Sequence, residues 1–211
     1  MIRYNSFKGV ATIFLDRPQK AHAYTPPMLD ELEKVIHQAE DHSVCVFSST
    51  QGRVFCAGAD RDSLKERRAE DALMLKAQFL FDAIARSRTV FIASMNGPAI
   101  AGGFELALSC DLRVVHPGVY CSLPEVSLGL IPAAGGCTRL SELVGSSVAR
   151  EVILGGGKIQ ADRGIQLGLF HRISDTPDDE AMAWAEEIST CLLYTSPSPR
   201  DLSTSRMPSS A

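Results

Sequence analysis

The chain has 211 residues, of which 45% are hydrophobic and 22% charged, and its mean hydropathy is +0.03. This composition is typical of a single globular domain with a sizeable core, and no apolar run approaches the roughly 20 residues of a membrane-spanning helix. The formal charge of −4, with Lys and Arg dispersed along the chain, argues against nucleic acid as a partner.

The amino terminus and the cysteines indicate a reducing compartment. Residues 1–5 lack the charged-then-apolar profile of a signal peptide. No C-x-x-C pair occurs, so we expect reduced thiols in or near the core rather than disulfides or a metal site. We therefore predict a protein without a metal that is cytoplasmic or sits in an organelle whose targeting segment is absent here. Its cysteines are Cys45, Cys56, Cys110, Cys121, Cys137 and Cys191.

The first half of the chain predicts a hairpin followed by alternating strands and helices. Apolar, β-branched runs over 2–7 and 9–15 flank a turn at Lys8 and Gly9. Helical spacing of apolar residues predicts a helix over 26–41, with Thr25 as its N-cap and Pro26 in its first turn. The other expected elements are a strand at 44–49, a loop at 52–61, a helix at 67–86 and a strand at 89–94.

The second half continues this alternation. A helix is expected at 104–109 and a strand at 112–115. Further helices are predicted at 136–143, 146–154, 161–167 and 178–190. Recurring strand, helix and strand predict an α/β fold with largely parallel strands.

The composition changes abruptly at about Leu192. Residues 192–211 contain six Ser, three Pro, two Thr and no Gly, and no helical or strand period survives. The segment resembles translated sequencing-library adapter. We therefore expect one domain over 1–191 and a non-native, disordered tail over 192–211.

Two loops present backbone groups that suit the binding of an oxyanion. The small residues of 56–60 leave amide groups uncovered, although a plain tight turn would have the same composition. Residues 96–105 lead from a strand into a helix, whose first amides have no internal partner and stabilise negative charge. Glu105 falls in the first turn of that helix, where an acidic residue can also serve stability alone.

A third loop places Glu125 between apolar residues, ahead of the glycine-rich stretch 129–136. Burial there would raise the pKa of the carboxyl, which suits a proton donor, whereas an exposed loop glutamate is the simpler alternative. Other chemistries find less support. The segment 155–158 lacks the rest of a phosphate-binding loop, no G-x-S-x-G elbow occurs, and the histidines show no metal-ligand spacing.

Together these loops resemble the crotonase superfamily, the enoyl-CoA hydratases and isomerases. The resemblance covers about residues 2–190 in order. It is carried by the segments LDRPQKAHA (15–23), FCAGAD (55–60), NGPAIAGGFELA (96–107), CD (110–111), PEVSLGLIPAAGG (124–136) and RL (139–140).

This resemblance implies a fold, a substrate and a site. The family fold is a right-handed spiral of β-β-α units, and the substrate is an acyl-CoA thioester whose oxygen accepts two backbone hydrogen bonds. By motif position the donors are Ala59 and Gly102. The catalytic glutamates match Glu105, which holds and activates water, and Glu125, which exchanges the proton at C2. No cofactor is implied, since coenzyme A is part of the substrate.

The resemblance also implies substrate contacts and shows departures. Residues 20–23 match a strip along the coenzyme A moiety, where Lys20 can meet a phosphate. His22 replaces the usual Asn, and Ala133 stands where hydratases commonly have Gly, near the expected water. The residues assigned to substrate binding are Lys20, Ala21, Ala23, Ala57, Asp60, Arg61 and Ala133.

Three functions remain open at this stage. Hydration of a 2-enoyl-CoA, or its reverse, is favoured because both glutamates are present, whereas family isomerases often need only the carboxylate at the Glu125 position. The alternatives are double-bond isomerisation and non-catalytic acyl-CoA binding. Relatives carry a further carboxyl-terminal helical region that supports trimers and closes the acyl pocket. We expect this chain to lack it and the parent protein to form a homotrimer or hexamer.

Overall fold

The computed structural model describes residues 1–65 and 75–193, without the side chains of 192 and 193. The strands are β1 (Ile2–Phe7), β2 (Val10–Leu15), β3 (Val44–Ser49), β4 (Val90–Met95), β5 (Ala99–Ile100), β6 (Leu112–Val115), β7 (Tyr120–Ser122), β8 (Lys158–Gln160) and β9 (Arg172–Ile173). The helices are α1 (Pro26–Ala39), α2 (Arg61–Lys65), α3 (Lys76–Arg86), α4 (Gly102–Ser109), α5 (Gly136–Gly155), α6 (Ala161–Gln166) and α7 (Pro177–Leu193).

These strands form two sheets. The long sheet has the order β1-β2-β3-β4-β6-β9 and is parallel except for the β1–β2 hairpin. The short sheet has the order β5-β7-β8, with β5 and β7 parallel. The prediction of an α/β fold with largely parallel strands is confirmed.

The chain places one strand in each sheet before it turns into a helix. β4 of the long sheet leads to β5 of the short sheet and then to α4, and β6 leads likewise to β7 and α5. Isolated parallel bridges from Cys56 to Ala99 and from Tyr24 to Ala59 extend the short sheet beyond β5. Each turn of the fold is therefore a β-β-α unit.

The long sheet is buried on both faces, which explains the unbroken apolar runs of its central strands. In β3, Cys45 and Phe47 belong to the main core, whereas Val44 and Val46 pack with Ala181 of α7. Helix α7 is further held by Asp178, which accepts hydrogen bonds from Ser48, Ser94 and Asn96 at the ends of β3 and β4.

Most predicted elements are confirmed, with differences that have local causes. The hairpin turn uses Lys8 (φ 50°) and Gly9 (φ 81°), the left-handed pair that a two-residue β-turn needs. Gly145 has φ 78° and ψ 157°, so it separates the two helical segments of α5, as the predictions of 136–143 and 146–154 required. Two to three residues are too few to show a period, and the strands β5, β7, β8 and β9 were therefore missed.

Four predictions meet the limits of the described chain or need correction. The helix expected at 67–86 is described only from residue 75 and is helical over 76–86. The tail was expected from 192, but residues 192 and 193 are the last two of α7, and the rest of the tail lies outside the described residues. Helix α2 was missed because the loop was expected to run through 61. All six thiols are free, but Cys137 and Cys191 are exposed rather than in or near the core.

Candidate active site

The three chemistry-bearing loops meet because each follows a strand of the extended short sheet. Residues 57–60 follow the bridge at Cys56, the start of α4 follows β5, and Glu125 follows β7. Neighbouring parallel strands end at the same edge, so their loops converge there. A cavity of about 930 Å³ opens at this edge.

Ten of the eleven predicted site residues border this cavity. They are Lys20, Ala23, Ala57, Ala59, Asp60, Arg61, Gly102, Glu105, Glu125 and Ala133. Ala21 does not border it; its left-handed backbone (φ 50°) directs its carbonyl to the amide of Ala57, 3.0 Å away. Several apolar side chains that the sequence did not single out complete the wall: Leu64, Leu75, Ile100, Leu128, Leu130 and Ile131.

The amide of Ala59 is directed away from its neighbouring strand. Tyr24 donates to the carbonyl of Gly58 at 2.8 Å and accepts from the amide of Asp60 at 2.9 Å. In a parallel bridge, the residue between those two groups directs its own N–H to the opposite side. Within residues 1–65 and 75–193, the amide of Ala59 donates to no acceptor.

The amide of Gly102 lies at the start of α4, against the Ala59 loop. A Cβ on Gly58 would lie 2.9 Å from the nitrogen of Gly102, and a Cβ on Gly102 would lie 2.0 Å from the hydroxyl of Tyr24. Glycine is therefore required at both positions. Ala101 precedes the helix with φ 53°, a strained conformation for alanine that turns the chain into α4. In the described part of the chain, no acceptor takes the Gly102 amide hydrogen.

The carboxylate of Asp60 holds the Ala59 loop from within the protein. One oxygen accepts from Arg17 at 2.6 Å, and the other accepts from the amides of Asp62 and Ser63 at the start of α2. Arg17 also donates to the carbonyl of Ala23 at 2.9 Å. The hydrogen bond from Arg17 lowers the pKa of Asp60, so this residue borders the cavity with its oxygens already engaged.

His22, the departure from the usual Asn, is buried behind this loop. Its Nδ1 accepts from the amide of Arg17 at 3.1 Å, and its Nε2 has no partner among the described residues. Burial lowers the pKa of the imidazole, so the ring is neutral at pH 7. His22 therefore fixes the path of residues 17–23 rather than facing the cavity, which it does not border.

Glu105 is held by the loop that enters α5. Its side chain is 3% exposed, and its Oε1 accepts from the amides of Ala134 and Gly136, both at 2.8 Å. Burial raises the pKa of Glu105, while these two amides and the charge of Arg139 oppose the shift. One oxygen is thereby fixed, and the second accepts no hydrogen bond from the described residues.

Glu125 opens a short 3₁₀ turn (Glu125–Leu128) and is 9% exposed, which excludes the simple alternative of an exposed loop glutamate. Its Oε2 is buried and has no hydrogen-bond partner among the described residues. Burial, with a smaller contribution from the charge of Glu105, raises the pKa of Glu125 to about 7. This carboxyl can therefore both give and take a proton near neutral pH.

Sequence reasoning missed the residues that hold these loops. Tyr24, Arg17 and Arg139 do not carry the predicted chemistry, yet each fixes a loop that does. The sequence shows Arg17 and Arg139 inside matched segments. Their partners, however, lie 43 and 57 residues away, and a single sequence contains no signal for such a pairing.

Comparisons with known proteins find relatives over most of the chain. The family model described as enoyl-CoA hydratase/isomerase matches residues 5–198. YngF of Bacillus subtilis is 36% identical over 196 residues, which cover 89% of this chain and 74% of that protein. An Arabidopsis thaliana protein named "Probable enoyl-CoA hydratase 2, mitochondrial" is 39% identical over 174 residues, covering 79% of this chain and 57% of its own length.

A solved structure supports the fold class. The crystal structure of an enoyl-CoA hydratase from Bacillus anthracis superposes with a TM-score of 0.85 at 28% identity, covering 90% of this chain and 76% of that one. The predicted crotonase-like fold is thereby confirmed.

Proposed function

Because the chain belongs to the enoyl-CoA hydratase/isomerase family, we propose that it catalyses the reversible addition of water to a 2-enoyl-CoA. The observation that carries this proposal is that the amides of Ala59 and Gly102, which donate to no acceptor among the described residues, border one cavity with the carboxyls of Glu105 and Glu125. Each group has a separate task in the reaction.

The two amides bind the thioester oxygen. When a nucleophile adds at C3, negative charge develops on that oxygen as an enolate-like state. Fixed donors stabilise this charge more than they stabilise the neutral thioester, and each contributes on the order of 3 kcal/mol. The protein holds both donors in place before substrate arrives, through the bridge at Tyr24 and the turn at Ala101.

The two glutamates activate the water and transfer the protons. Glu105 accepts two amide hydrogen bonds on one oxygen, so its free oxygen is held in one orientation to accept a proton from water as the water oxygen bonds to C3. Glu125, near half-protonated at pH 7, gives its proton to C2. The proton taken by Glu105 then replaces the one that Glu125 lost, so no proton is consumed overall.

The lining favours an acyl thioester over a wholly polar substrate. Leu64, Leu75 and Leu130 offer an apolar wall, and Lys20 and Arg61 are exposed on the rim. Apolar walls suit an acyl chain, and exposed cations suit the phosphates of coenzyme A. We propose that no further cofactor takes part.

Location and assembly are proposed separately from the reaction. Among the described helices, none is long and apolar enough to cross a membrane. We propose a cytoplasmic location and a homotrimer or hexamer for the parent protein, which light scattering of the purified protein would measure.

Incubation in heavy water tests the reaction directly. A 2-enoyl-CoA given to the 211-residue chain should become a 3-hydroxyacyl-CoA with one deuterium at C2, detected by mass spectrometry and NMR. A 3-enoyl-CoA given separately should convert more slowly. Conversion of the 3-enoyl-CoA alone would identify an isomerase, and acyl-CoA binding without turnover would identify a binding protein.

A further inference from the structure

The carboxylate of Glu105 is positioned by the turn that leads into α5 and by the first residue of that helix. Both hydrogen bonds to its Oε1 come from Ala134 and Gly136, in the turn that joins the 3₁₀ segment after β7 to α5. Because a misplacement of about 1 Å can cost a reacting group on the order of 100-fold in rate, the position of this turn must be fixed from outside it.

Arg139, on the first turn of α5, reaches back to fix it. Its Nη1 donates to the carbonyl of Ala134 at 2.8 Å, and its amide donates to the carbonyl of Gly135 at 2.9 Å. The guanidinium packs directly against Gly135, where a Cβ would lie 1.9 Å from Nη1. Gly135 also has φ 103°, so both space and conformation require glycine beneath this side chain.

Gly136 is required for a different reason. A Cβ there would lie 2.9 Å from Oε1 and 3.0 Å from Cγ of Glu105. The Gly135-Gly136 pair therefore lets the turn approach Arg139 on one side and Glu105 on the other.

Asp82 of α3 holds the other arm of the guanidinium. It forms an ion pair with Nη2 of Arg139, whose side chain is 12% exposed. Each arm of the planar fork therefore has its own acceptor, an arrangement that lysine cannot reproduce with one ammonium group. The contacts run from α3 through Arg139 to Ala134 and then to Glu105.

We propose that Arg139, anchored by Asp82, is a positioning residue that sets the orientation of Glu105 for attack by water. It is not among the residues that line the cavity. This inference rests on the proposed hydration for its kinetic consequence, but the position and ionisation of Glu105 can be measured without turnover.

The charges around Glu105 support this assignment. Arg139 lowers the pKa of Glu105, against the effect of burial, whereas Glu125 and Cys137 interact electrostatically with Glu105 and Asp82 forms an ion pair with Arg139. Loss of the guanidinium removes the cation and also loosens the turn whose amides, at Ala134 and Gly136, bind Glu105. Both changes disfavour the ionised carboxylate that must accept a proton from water.

The experiment compares the 211-residue chain without substitutions, called the parent chain from here on, with Arg139→Gln, Arg139→Lys and a matched control. The control is Arg163→Gln, which breaks a two-armed ion pair between α6 and Glu151 of α5 far from the cavity. For Arg139→Gln we expect the turnover rate in the hydration assay to fall about 10- to 100-fold, while KM stays within about threefold of the parent. Arg139→Lys should remain about as slow, and Arg163→Gln should match the parent.

An NMR titration of the glutamate carboxyl carbons provides the second measurement. The Glu105 signal, assigned by its loss in Glu105→Gln, should titrate at higher pH in Arg139→Gln than in the parent. An unmoved titration, an unchanged turnover rate in Arg139→Gln, or full turnover in Arg139→Lys would each overturn the proposal. If Arg139→Gln does not fold, Asp82→Asn replaces it, with turnover expected to be about threefold to tenfold slower and an unchanged rate contradicting the proposal.

The two proposals fail separately. A parent chain that binds acyl-CoA but hydrates no 2-enoyl-CoA would remove the proposed function. The titration of Glu105 would then still decide whether Arg139 positions it.

Discussion

The start of α4 and the loop after β7 each bring one glutamate to the cavity, and they hold it in different ways. Glu105 is fixed by two amides and a nearby cation, whereas Glu125 is buried with its Oε2 unpartnered among the described residues. Hydrogen bonds favour an ionised carboxylate, and burial without them favours a protonated one. Burial raises the pKa of both glutamates, and at Glu105 the amides of Ala134 and Gly136 and the charge of Arg139 oppose that shift.

The largest effect should come from Glu125→Gln. The amide keeps the shape of the side chain but cannot transfer a proton, so hydration should fall by about 1,000-fold while acyl-CoA binding changes little. Stopped assays and calorimetric titration measure the two quantities. Glu142→Gln, an exposed change on α5, is the control. Near-normal turnover in Glu125→Gln would remove its assigned role.

Glu105→Gln should have the next largest effect, about 100-fold. Its carbonyl oxygen can still accept from Ala134 and Gly136, so the fold should be preserved, but the free end no longer accepts a proton from water. Parallel kinetics on both variants would test the ordering. A larger loss for Glu105→Gln than for Glu125→Gln would reverse the roles assigned here.

A smaller effect, about tenfold on turnover, is expected for Gly136→Ala. The added methyl would meet Oε1 and Cγ of Glu105 at 2.9 and 3.0 Å and displace the carboxylate without removing it. Gly155→Ala is the matched control, because its added Cβ would meet no atom within 4 Å among the described residues outside its own helical backbone and chain neighbours. Equal kinetics for the two alanine variants would show that displacing the carboxylate of Glu105 does not slow turnover, which contradicts this prediction.

The last difference concerns stability rather than turnover. The pKa of Glu125 is raised to about 7, so between its unfolded value near 4.5 and pH 7 the native state keeps a proton that the unfolded chain has lost. The contribution of Glu125 to the free energy of unfolding is therefore complete at low pH. It falls by up to about 3 kcal/mol as the pH rises through the pKa of the folded state.

Urea unfolding at pH 5 and pH 8 measures this contribution. Glu125→Gln should lose less stability over that interval than the parent, because the amide never ionises. Identical pH dependence of the free energy of unfolding in both proteins would show that Glu125 ionises normally in the fold.

The sequence predicted the chemistry-bearing loops better than it predicted their supports. Glu105 and Glu125 stand in dense local motifs, and the strands and helices beside them have clear periods. The strand β5 has only two residues, so the short sheet that brings the loops together left no local pattern. Its existence depends on pairing between distant segments.

The residues that hold these loops in place also depend on pairing between distant segments. Arg139 and Asp82 are 57 residues apart, and Arg17 and Asp60 are 43 apart. Each arginine looks like an ordinary surface charge in the sequence, because hydrogen-bonded geometry is decided only when the helices pack. The strained Ala101 was equally invisible, since alanine gives no sign of a positive φ.

The most direct test of the account is a crystal structure of the chain with an unreactive acyl-CoA analogue that keeps the thioester oxygen. We expect that oxygen to lie about 3 Å from the amide nitrogens of both Ala59 and Gly102, with C2 and C3 between the carboxyls of Glu105 and Glu125. A thioester oxygen bound elsewhere, or a C2–C3 bond beyond reach of both carboxyls, would contradict it.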